Sequence, residues 1–318
     1  MLEQSRPNVS TTSVAAGLIT IYVIWGTTYL VMKIALKTLP PFAIAGIRFV
    51  IAGLLAYAGT RYLLRVPAPT LRQLGNASFI GLLLVVGGNG LVMWSIQYIP
   101  SGVAAVLVAT MPIWMAVFDR IFFKGGKLSK RVISGLVIGF MGVLLLINPF
   151  RDQQNNPDFD ITSAFVCMLA PICWSFGSLY SREADLPENV FMSAALQMLC
   201  GGAILLLISF FQGEIQKLSI PDISSRSIFA VAYLSVFGSI IALGTYMWLL
   251  RNVVASIAST YTYINPVIAV TLGWLLLDET VTALMIFAVA VVVAAVILIV
   301  YRPAIEYEDE NLASDSGG

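Results

Sequence analysis

The stretch that decides the fold is "GGNGLVMW", which runs from Gly87 to Trp94 inside an otherwise apolar part of the chain. Part of this string returns much later as "GTYMW", which runs from Gly244 to Trp248. In this register Gly90 pairs with Gly244, and the two tryptophans pair with each other. A glycine-rich string with an asparagine is unusual in a membrane helix, so its partial return indicates an internal duplication.

The correspondence extends along the chain on both sides of this string. A small change of register is needed between the second and third apolar stretches, where a loop tolerates an insertion. The further matched pairs are Ala104 with Ala258, Pro112 with Pro266, Trp25 with Trp174, Gly53 with Gly202, and Arg48 with Gln197.

The composition identifies the class of protein. Of the 318 residues, 58% are hydrophobic and 11% are charged, whereas a soluble domain has about 25% charged residues. Stretches of about 20 apolar residues, each long enough to cross the hydrocarbon of a bilayer, recur from end to end. The sequence therefore predicts an all-α polytopic membrane protein with ten transmembrane helices, at about 14–36, 42–62, 75–97, 102–122, 131–149, 161–181, 190–211, 227–249, 255–277 and 281–301.

The basic residues predict the orientation. Twelve Lys and Arg residues fall on the side of the N-terminus, and four fall on the opposite side. By the positive-inside rule we expect both termini in the cytoplasm. The membrane that we expect is a bacterial-type inner membrane. The predicted organisation is a cytoplasmic segment 1–13, a first five-helix repeat 14–149, a periplasmic linker 150–160, a second repeat 161–301, and an acidic, disordered cytoplasmic tail 302–318.

Five helices per repeat is an odd number, so the two repeats are expected to be inverted relative to each other. Inverted repeats that enclose a site near the bilayer midplane are the architecture of alternating-access transporters. The sequence therefore predicts a membrane carrier. A duplicated scaffold that transports nothing is the alternative left open by the repeat alone.

Several short motifs carry a family resemblance that covers residues from about 14 to 301. They are Trp25-Gly26-Thr27-Thr28, Gly46-Ile47-Arg48-Phe49, the prolines Pro112 and Pro266, and Leu277-Asp278-Glu279. With these motifs the chain resembles the drug/metabolite transporter superfamily, and within it the ten-helix EamA-type exporters, a group that includes exporters of amino acids. The resemblance implies a metabolite exporter. The family's usual Gly-Glu turn is Asp278-Glu279 here, and the first-half turn Lys124-Gly125-Gly126-Lys127 has no carboxylate to take the glutamate's place.

Glycine and proline inside the predicted spans mark candidate hinges. Glycines allow close helix packing or a local break that lines a cavity, and both readings remain open. Proline removes a backbone donor and kinks a helix. The candidate hinge and kink residues are Gly87, Gly88, Gly90, Pro112, Pro171 and Pro266.

Polar and aromatic residues near the span centres are candidates for substrate binding. An intramembrane arginine is costly, so Arg48 either meets a substrate carboxylate or binds helix-end carbonyls. Tyr261 and Asn265 are one turn apart on one helix face, and each has an internal hydrogen-bond role as its alternative. The candidates are Trp25, Arg48, Asn89, Trp94, Trp174, Gln197, Tyr246, Trp248, Tyr261 and Asn265.

What the chain lacks favours a neutral substrate. It contains no histidine, and no Asp or Glu lies near the centre of a predicted span. We therefore expect neutral amino acids, including aromatic ones, to be carried without a carboxylate-based proton exchange. A multidrug exporter of organic cations is the alternative within transport, and an integral membrane enzyme or a scaffold is less favoured. No metal or nucleotide pattern is present, so no cofactor is predicted. The expected partners are the substrate and the lipid bilayer, and one chain is enough to enclose the site.

Overall fold

The computed structural model describes residues 10–123, 130–147, 160–253 and 255–300, and within these ranges the regular structure is entirely helical. Its α-helices are α1 Thr11–Ala35, α2 Pro41–Ala58, α3 Leu71–Gly81, α4 Leu91–Ser95, α5 Ser101–Val108, α6 Met111–Phe122, α7 Lys130–Ile147, α8 Ile161–Glu183, α9 Val190–Phe211, α10 Ser225–Tyr233, α11 Ala242–Asn252, α12 Ala255–Ala258, α13 Tyr261–Leu277 and α14 Ala283–Val300. Three π-helices continue them, namely π1 Gly59–Leu63, π2 Leu82–Gly90 and π3 Leu234–Ile241.

Seven segments of the described chain are long and apolar enough to cross a membrane. They are Thr11–Ala35, Pro41–Leu63, Leu71–Ser95, Ser101–Phe122, Ile161–Glu183, Val190–Phe211 and Ser225–Asn252. The other three predicted spans fall on α7, on α12 with α13, and on α14, so a count of ten stays a prediction. The linker, the tail and most of the N-terminal segment lie outside the described residues, so the cytoplasmic location of both termini stays a prediction.

Helices α2 and α9 pack against each other through reciprocal glycines. A Cβ atom added to Gly53 would lie 2.9 Å from the backbone nitrogen of Leu199. A Cβ atom added to Gly202 would lie 2.9 Å from the backbone nitrogen of Val50. Glycine allows this close approach of two backbones. The register that matches Gly53 with Gly202 also matches Val50 with Leu199, so each helix makes the same contact with the other.

The segments π2 and π3 interrupt the third and eighth predicted spans at related points. In π2 the Asn89 Nδ2 donates to the carbonyl of Leu84 at 3.3 Å. In π3 the Ser239 Oγ donates to the carbonyl of Leu234 at 3.0 Å. Both side chains reach back by the spacing of a π-helical turn. These contacts match Asn89 with Ser239, one helical turn away from the register that pairs Gly90 with Gly244, so that sequence register is corrected here.

The fourth and ninth predicted spans are also each interrupted by a turn. Thr110 Oγ1 donates to the carbonyl of Leu107 at 2.7 Å, between α5 and α6. Thr260 Oγ1 donates to the carbonyl of Ile257 at the same distance of 2.7 Å, between α12 and α13. The two turns therefore correspond, with Thr110 at the position of Thr260.

This correspondence corrects the pairing of Pro112 with Pro266. Pro112 lies in the first turn of α6, where its missing N–H group costs no helical hydrogen bond. Pro266 lies further along, inside α13, and Pro171 lies inside α8. The first proline therefore begins a helix, whereas the other two replace a donor within one.

Candidate functional site

A cavity of about 480 Å³, including space continuous with solvent, lies between α1, π2, α8 and α13. Its described lining contains both apolar and polar side chains but no Asp, Glu, Lys or Arg. The lining residues are Trp25, Thr28, Tyr29, Met32, Gly88, Asn89, Val92, Val108, Ala170, Pro171, Trp174, Tyr261 and Asn265. The structure thus brings together at one cavity the predicted candidates Trp25, Asn89, Trp174, Tyr261 and Asn265, with Gly88 and Pro171.

Four aromatic rings from four helices, which we call the aromatic cluster, meet at one end of the cavity. The ring centroid of Trp25 lies 5.5 Å from that of Trp174, 5.2 Å from that of Tyr246 and 4.6 Å from that of Tyr261. These separations are typical of favourable aromatic pairs. Tyr246 is fully buried behind the cavity wall, where its hydroxyl lies 2.9 Å from Ser178 Oγ. From Trp25 the cavity extends along α1 toward Met32, and thus toward the connection between α1 and α2.

The glycines of π2 fit closely against the second half of the chain. A Cβ atom on Gly88 would lie 2.5 Å from Cε3 of Trp174, and one on Gly87 would lie 2.7 Å from Cβ of Cys173. One on Gly90 would lie 2.7 Å from a methyl carbon of Leu205. Close packing therefore accounts for all three glycines, and Gly88 also contributes to the cavity wall.

Asn265 places an unsatisfied acceptor at the cavity. Its side chain is 2% exposed, and its Oδ1 accepts no hydrogen bond from any described residue. A buried polar atom without a partner is costly. Pro266 follows it directly and cannot donate to the carbonyl of Thr262, which leaves a second acceptor in the same turn of α13. This part of the wall is suited to a ligand that donates hydrogen bonds.

Arg48 lies behind the cavity wall rather than in it. It is 1% exposed. Its Nε donates to Ser239 Oγ at 3.2 Å, and its Nη2 donates to Asn89 Oδ1 at 3.4 Å. Asn89 lines the cavity, whereas Arg48 does not. Among the described residues Arg48 thus bonds side chains of π3 and π2 rather than the helix-end carbonyls that are one of its two predicted partners, and its contact with a substrate carboxylate stays a prediction.

Three other candidates lie away from the cavity. Gln197 is fully buried, and its Nε2 donates to Ser193 Oγ at 3.2 Å on the preceding turn of α9. Trp94 packs on Tyr98, with the ring centroids 5.3 Å apart. Trp248 packs on Gly17, because a Cβ atom added to Gly17 would lie 3.4 Å from Cζ3 of Trp248. None of the three is among the described lining residues, so the prediction that they line the cavity differs from the structure.

Several lining residues are not among the predicted candidates, although the sequence contains a signal for three of them. Thr28, Tyr29 and Met32 follow Trp25 by one and two helical turns, so they share its face of α1. Extending the face of Trp25 along the helix would have identified them. Val92, Val108 and Ala170 carry no such signal, because apolar residues surround them in the sequence.

Two glutamates of the second half bind helix starts of the first half at the end of the bundle where α1 ends. Glu279 accepts hydrogen bonds from the backbone nitrogen of Ser101 at 3.0 Å and from its hydroxyl at 2.6 Å, and Lys33 Nζ lies 3.6 Å away. Glu214 accepts from the backbone nitrogen of Ala43 at 2.9 Å. Carboxylates are favourable at helix N-termini, which carry unpaired N–H groups. These contacts tie the two halves together beside the cavity.

Comparison with known proteins identifies the family. A model described as the EamA-like transporter family matches residues 12–148 and again residues 161–301. An uncharacterized inner membrane transporter, YedA of Escherichia coli (strain K12), is 41% identical over 89% of this chain and 89% of its own length. An uncharacterized transporter, YoaV of Bacillus subtilis (strain 168), is 25% identical over 85% of this chain and 90% of its own length. One solved crystal structure, 17% identical, covers 91% of this chain and 98% of its own with a TM-score of 0.63, which shows a shared fold.

These matches agree with the apolar helices and with the cavity between them. The chain is a multi-pass protein of the inner membrane, and its role is that of a transporter of small molecules rather than an enzyme. It belongs to the EamA-like transporter family.

Proposed function

We propose that this chain exports small neutral amino acids, including aromatic ones, through the cavity between its two halves. The observation that carries the proposal is the buried Oδ1 of Asn265, which has no partner among the described residues. The described side chains of this wall carry no charge, and the aromatic rings of Trp25 and Trp174 line the same cavity. A ligand that suits this wall donates hydrogen bonds, has an apolar body and carries little net charge.

A zwitterionic amino acid meets these requirements. Its ammonium group donates hydrogen bonds to Asn265 Oδ1, and an aromatic or branched side chain contacts the aromatic cluster. A dication fits less well, because no carboxylate is among the described lining residues and a buried charge needs a partner. An organic monocation held by the aromatic rings is the second candidate, since Trp and Tyr faces attract cations.

The mechanism we propose is alternating access between two inverted five-helix repeats. The reciprocal contacts of Gly53 and Gly202 and the matched turns at Thr110 and Thr260 support the duplication. The segments π2 and π3 and the two turns interrupt the helices beside the cavity, and interrupted helices typically form the substrate sites of such carriers. When the halves rock, the contact of Glu279 with Ser101 breaks at one end of the bundle.

We also propose that transport is not driven by a proton bound in the cavity. Carriers that use protons place a titratable carboxylate or histidine on the substrate path. The described lining has neither, so the substrate gradient itself drives the flux.

The test is uptake into proteoliposomes that contain the purified full chain. Labelled phenylalanine and leucine are offered beside labelled tetraphenylphosphonium, with and without a pH gradient. We expect saturable amino-acid uptake that ignores the gradient and falls in Asn265→Ala. The matched control is Asn252→Ala, because Asn252 bonds its own helix at the carbonyl of Trp248 at 2.7 Å, away from the cavity.

Each contrary outcome addresses a different part of the proposal. Flux of the phosphonium without amino-acid flux would establish the multidrug alternative. Acceleration by the gradient would contradict uncoupled transport. Equal uptake by Asn265→Ala and the wild type would remove Asn265 from the site.

A further inference from the structure

The positive charge of Arg48 is uncompensated within the described part of the chain. The ion pairs found there join Lys33 to Glu279 and Arg72 to Asp185. A guanidinium stays protonated in proteins, so Arg48 is a buried cation at 1% exposure. The ring of Phe49, 4.3 Å from Cζ, offers a weak aromatic contact. Buried charges otherwise require an opposite charge or an ionic ligand.

The hydrogen-bond partners of Arg48 are neutral and distant. The Nε and Nη2 bonds to Ser239 and Asn89 measure 3.2 and 3.4 Å, whereas bonds from a guanidinium to a carboxylate are about 2.7–2.9 Å long. Nη1 has no acceptor among the described residues. Replacing the Asn89 bond by a bond to a carboxylate would therefore strengthen the contact and satisfy Nη1 as well.

Asn89 separates this guanidinium from the cavity. Its Oδ1 accepts from Arg48, its Nδ2 donates to the carbonyl of Leu84 at 3.3 Å, and the same residue lines the cavity. Both bonds of Asn89 are long, so a rotation of this side chain costs little. That rotation would uncover Nη2, the atom that now bonds Asn89, on the side of the cavity.

We propose that Arg48 and Asn89 together form a carboxylate subsite of the transport cavity, in which a substrate carboxylate takes Nη1 and Nη2 of Arg48 in place of Asn89 Oδ1. A carboxylate can bind a guanidinium with both oxygens, and the displaced amide donates to it from Nδ2. This inference rests on the proposed amino-acid transport and extends it, because it makes the carboxylate of the substrate a requirement.

The subsite also sets the orientation of the substrate. Asn265 offers the unpaired acceptor Oδ1 to the ammonium group, and Arg48 offers only donors to the carboxylate. The position in the second repeat that matches Arg48 holds the neutral Gln197. One cation therefore serves one carboxylate, and monocarboxylates with a neighbouring amino group are the class of substrate that fits.

The test measures selectivity in the reconstituted full chain. Phenylalanine, phenylalanine amide and phenethylamine compete with labelled phenylalanine for uptake by the wild type. Because losing one partner of a buried charge pair is expensive, we expect the two compounds without a carboxylate to compete about 100-fold more weakly than phenylalanine. In Arg48→Gln this discrimination is expected to disappear.

Asn89→Asp is the second variant, and it tests the carboxylate subsite even if Arg48→Gln does not fold. It places a carboxylate beside the guanidinium, at the position of Asn89 Oδ1, which lies 3.4 Å from Nη2 of Arg48 in the wild type. We expect phenylalanine uptake to fall about 100-fold, competition by phenethylamine to improve, and the melting temperature in detergent not to fall. Lys33→Gln is the control, since it removes an equal charge that pairs with Glu279, and its selectivity is expected to match the wild type.

The failures of the two proposals are distinguishable. A wild type that carries no amino acid contradicts the proposed function. A wild type that carries phenylalanine but accepts the amide equally well overturns the carboxylate subsite alone. So does an Asn89→Asp variant that transports phenylalanine at the wild-type rate.

Discussion

The segments π2 and π3 are both π-helical, but the side chains that they carry have different surroundings. In π2 and in π3 a polar side chain donates to the carbonyl five residues back, and both side chains bond Arg48. Yet Asn89 lines the cavity, and Ser239 does not. The two segments thus share the interruption of the helix but differ in the side chains around it, since π2 presents an amide to the cavity and π3 does not.

The packing of the two segments differs in the same way. A Cβ atom on Gly88 would lie 2.5 Å from the ring of Trp174, whereas one on Gly238 would lie 3.2 Å from a methyl of Thr28. Trp25 instead donates from Nε1 to the carbonyl of Gly238 at 3.1 Å. One tryptophan is therefore held by a hydrogen bond and its counterpart by close contact, which gives the two walls different tolerance to substitution.

The largest expected effect tests what the repeats share. Gly53→Val and Gly202→Val each force a side chain into a backbone approach that has no room for a Cβ atom. We expect both to destabilise the protein by about 3 kcal/mol, and by similar amounts, in thermal unfolding in detergent. Gly75→Ala is the control, because nothing lies within 4 Å of an added Cβ atom there. A large loss in only one of the two variants would contradict the reciprocal packing of α2 and α9.

The next effect tests where the repeats differ. Gly88→Ala must displace Trp174, and we expect a loss of about 2 kcal/mol in stability together with weaker amino-acid uptake. Gly238→Ala requires its neighbour to shift by only a few tenths of an ångström, and we expect less than about 1 kcal/mol. Melting temperatures and initial uptake rates of the two variants, measured side by side, check this order. The reverse order would show that the two walls are not held as described.

A smaller effect concerns the glutamates that join the halves. Glu279→Gln keeps an acceptor for Ser101 but loses the charge at the start of α5 and the pairing with Lys33. We expect it to lower stability by about 1 kcal/mol. Glu214→Gln, at the start of α2, is expected to act similarly. Unfolding of both variants at high salt is the check, since salt screens the charge and should narrow the difference from the wild type.

The smallest effect is a pH dependence at the start of α8. Hydrogen bonds from Ser163, above all from its hydroxyl, hold the pKa of the Asp160 carboxyl below its ordinary value. A lowered pKa stabilises the folded state above the unfolded pKa of about 4, and this contribution is lost as the pH falls through the folded value. We expect Asp160→Asn to remove a small part of the acid sensitivity of the melting temperature. An unchanged acid profile would show that this cap contributes nothing.

The sequence predicted the helical class, and it predicted five of the thirteen described lining residues as substrate-binding candidates, for physical reasons that particular positions illustrate. Trp25, Trp174, Tyr261 and Asn265 stand out because aromatic and amide groups are few at the centres of apolar spans. Their meeting at one cavity follows from packing of the helices that carry them. The general class of the protein is fixed by composition and needs no tertiary information.

The register of the repeat and the place of Arg48 could not be predicted in the same way. The register that pairs Gly90 with Gly244 differs by four residues from the one that pairs Asn89 with Ser239. About four residues make one helical turn, so the helical periodicity of the sequence fits both registers. Periodicity predicts which face of a helix is buried but not which residues of other helices pack against it. Arg48 could therefore be predicted to lie near the cavity, but not behind Asn89. The hydrogen bond from Ser101 to Glu279 joins residues far apart in the chain, and no local sequence pattern predicts it.

The most direct test of the account is an experimental map of the protein purified with phenylalanine, in a preparation that transports phenylalanine. We expect density for the amino acid in the cavity, with its side chain against the rings of Trp25 and Trp174 and its ammonium group bonded to Asn265 Oδ1. Phenylalanine bound elsewhere, with this cavity empty or filled by lipid, would contradict it.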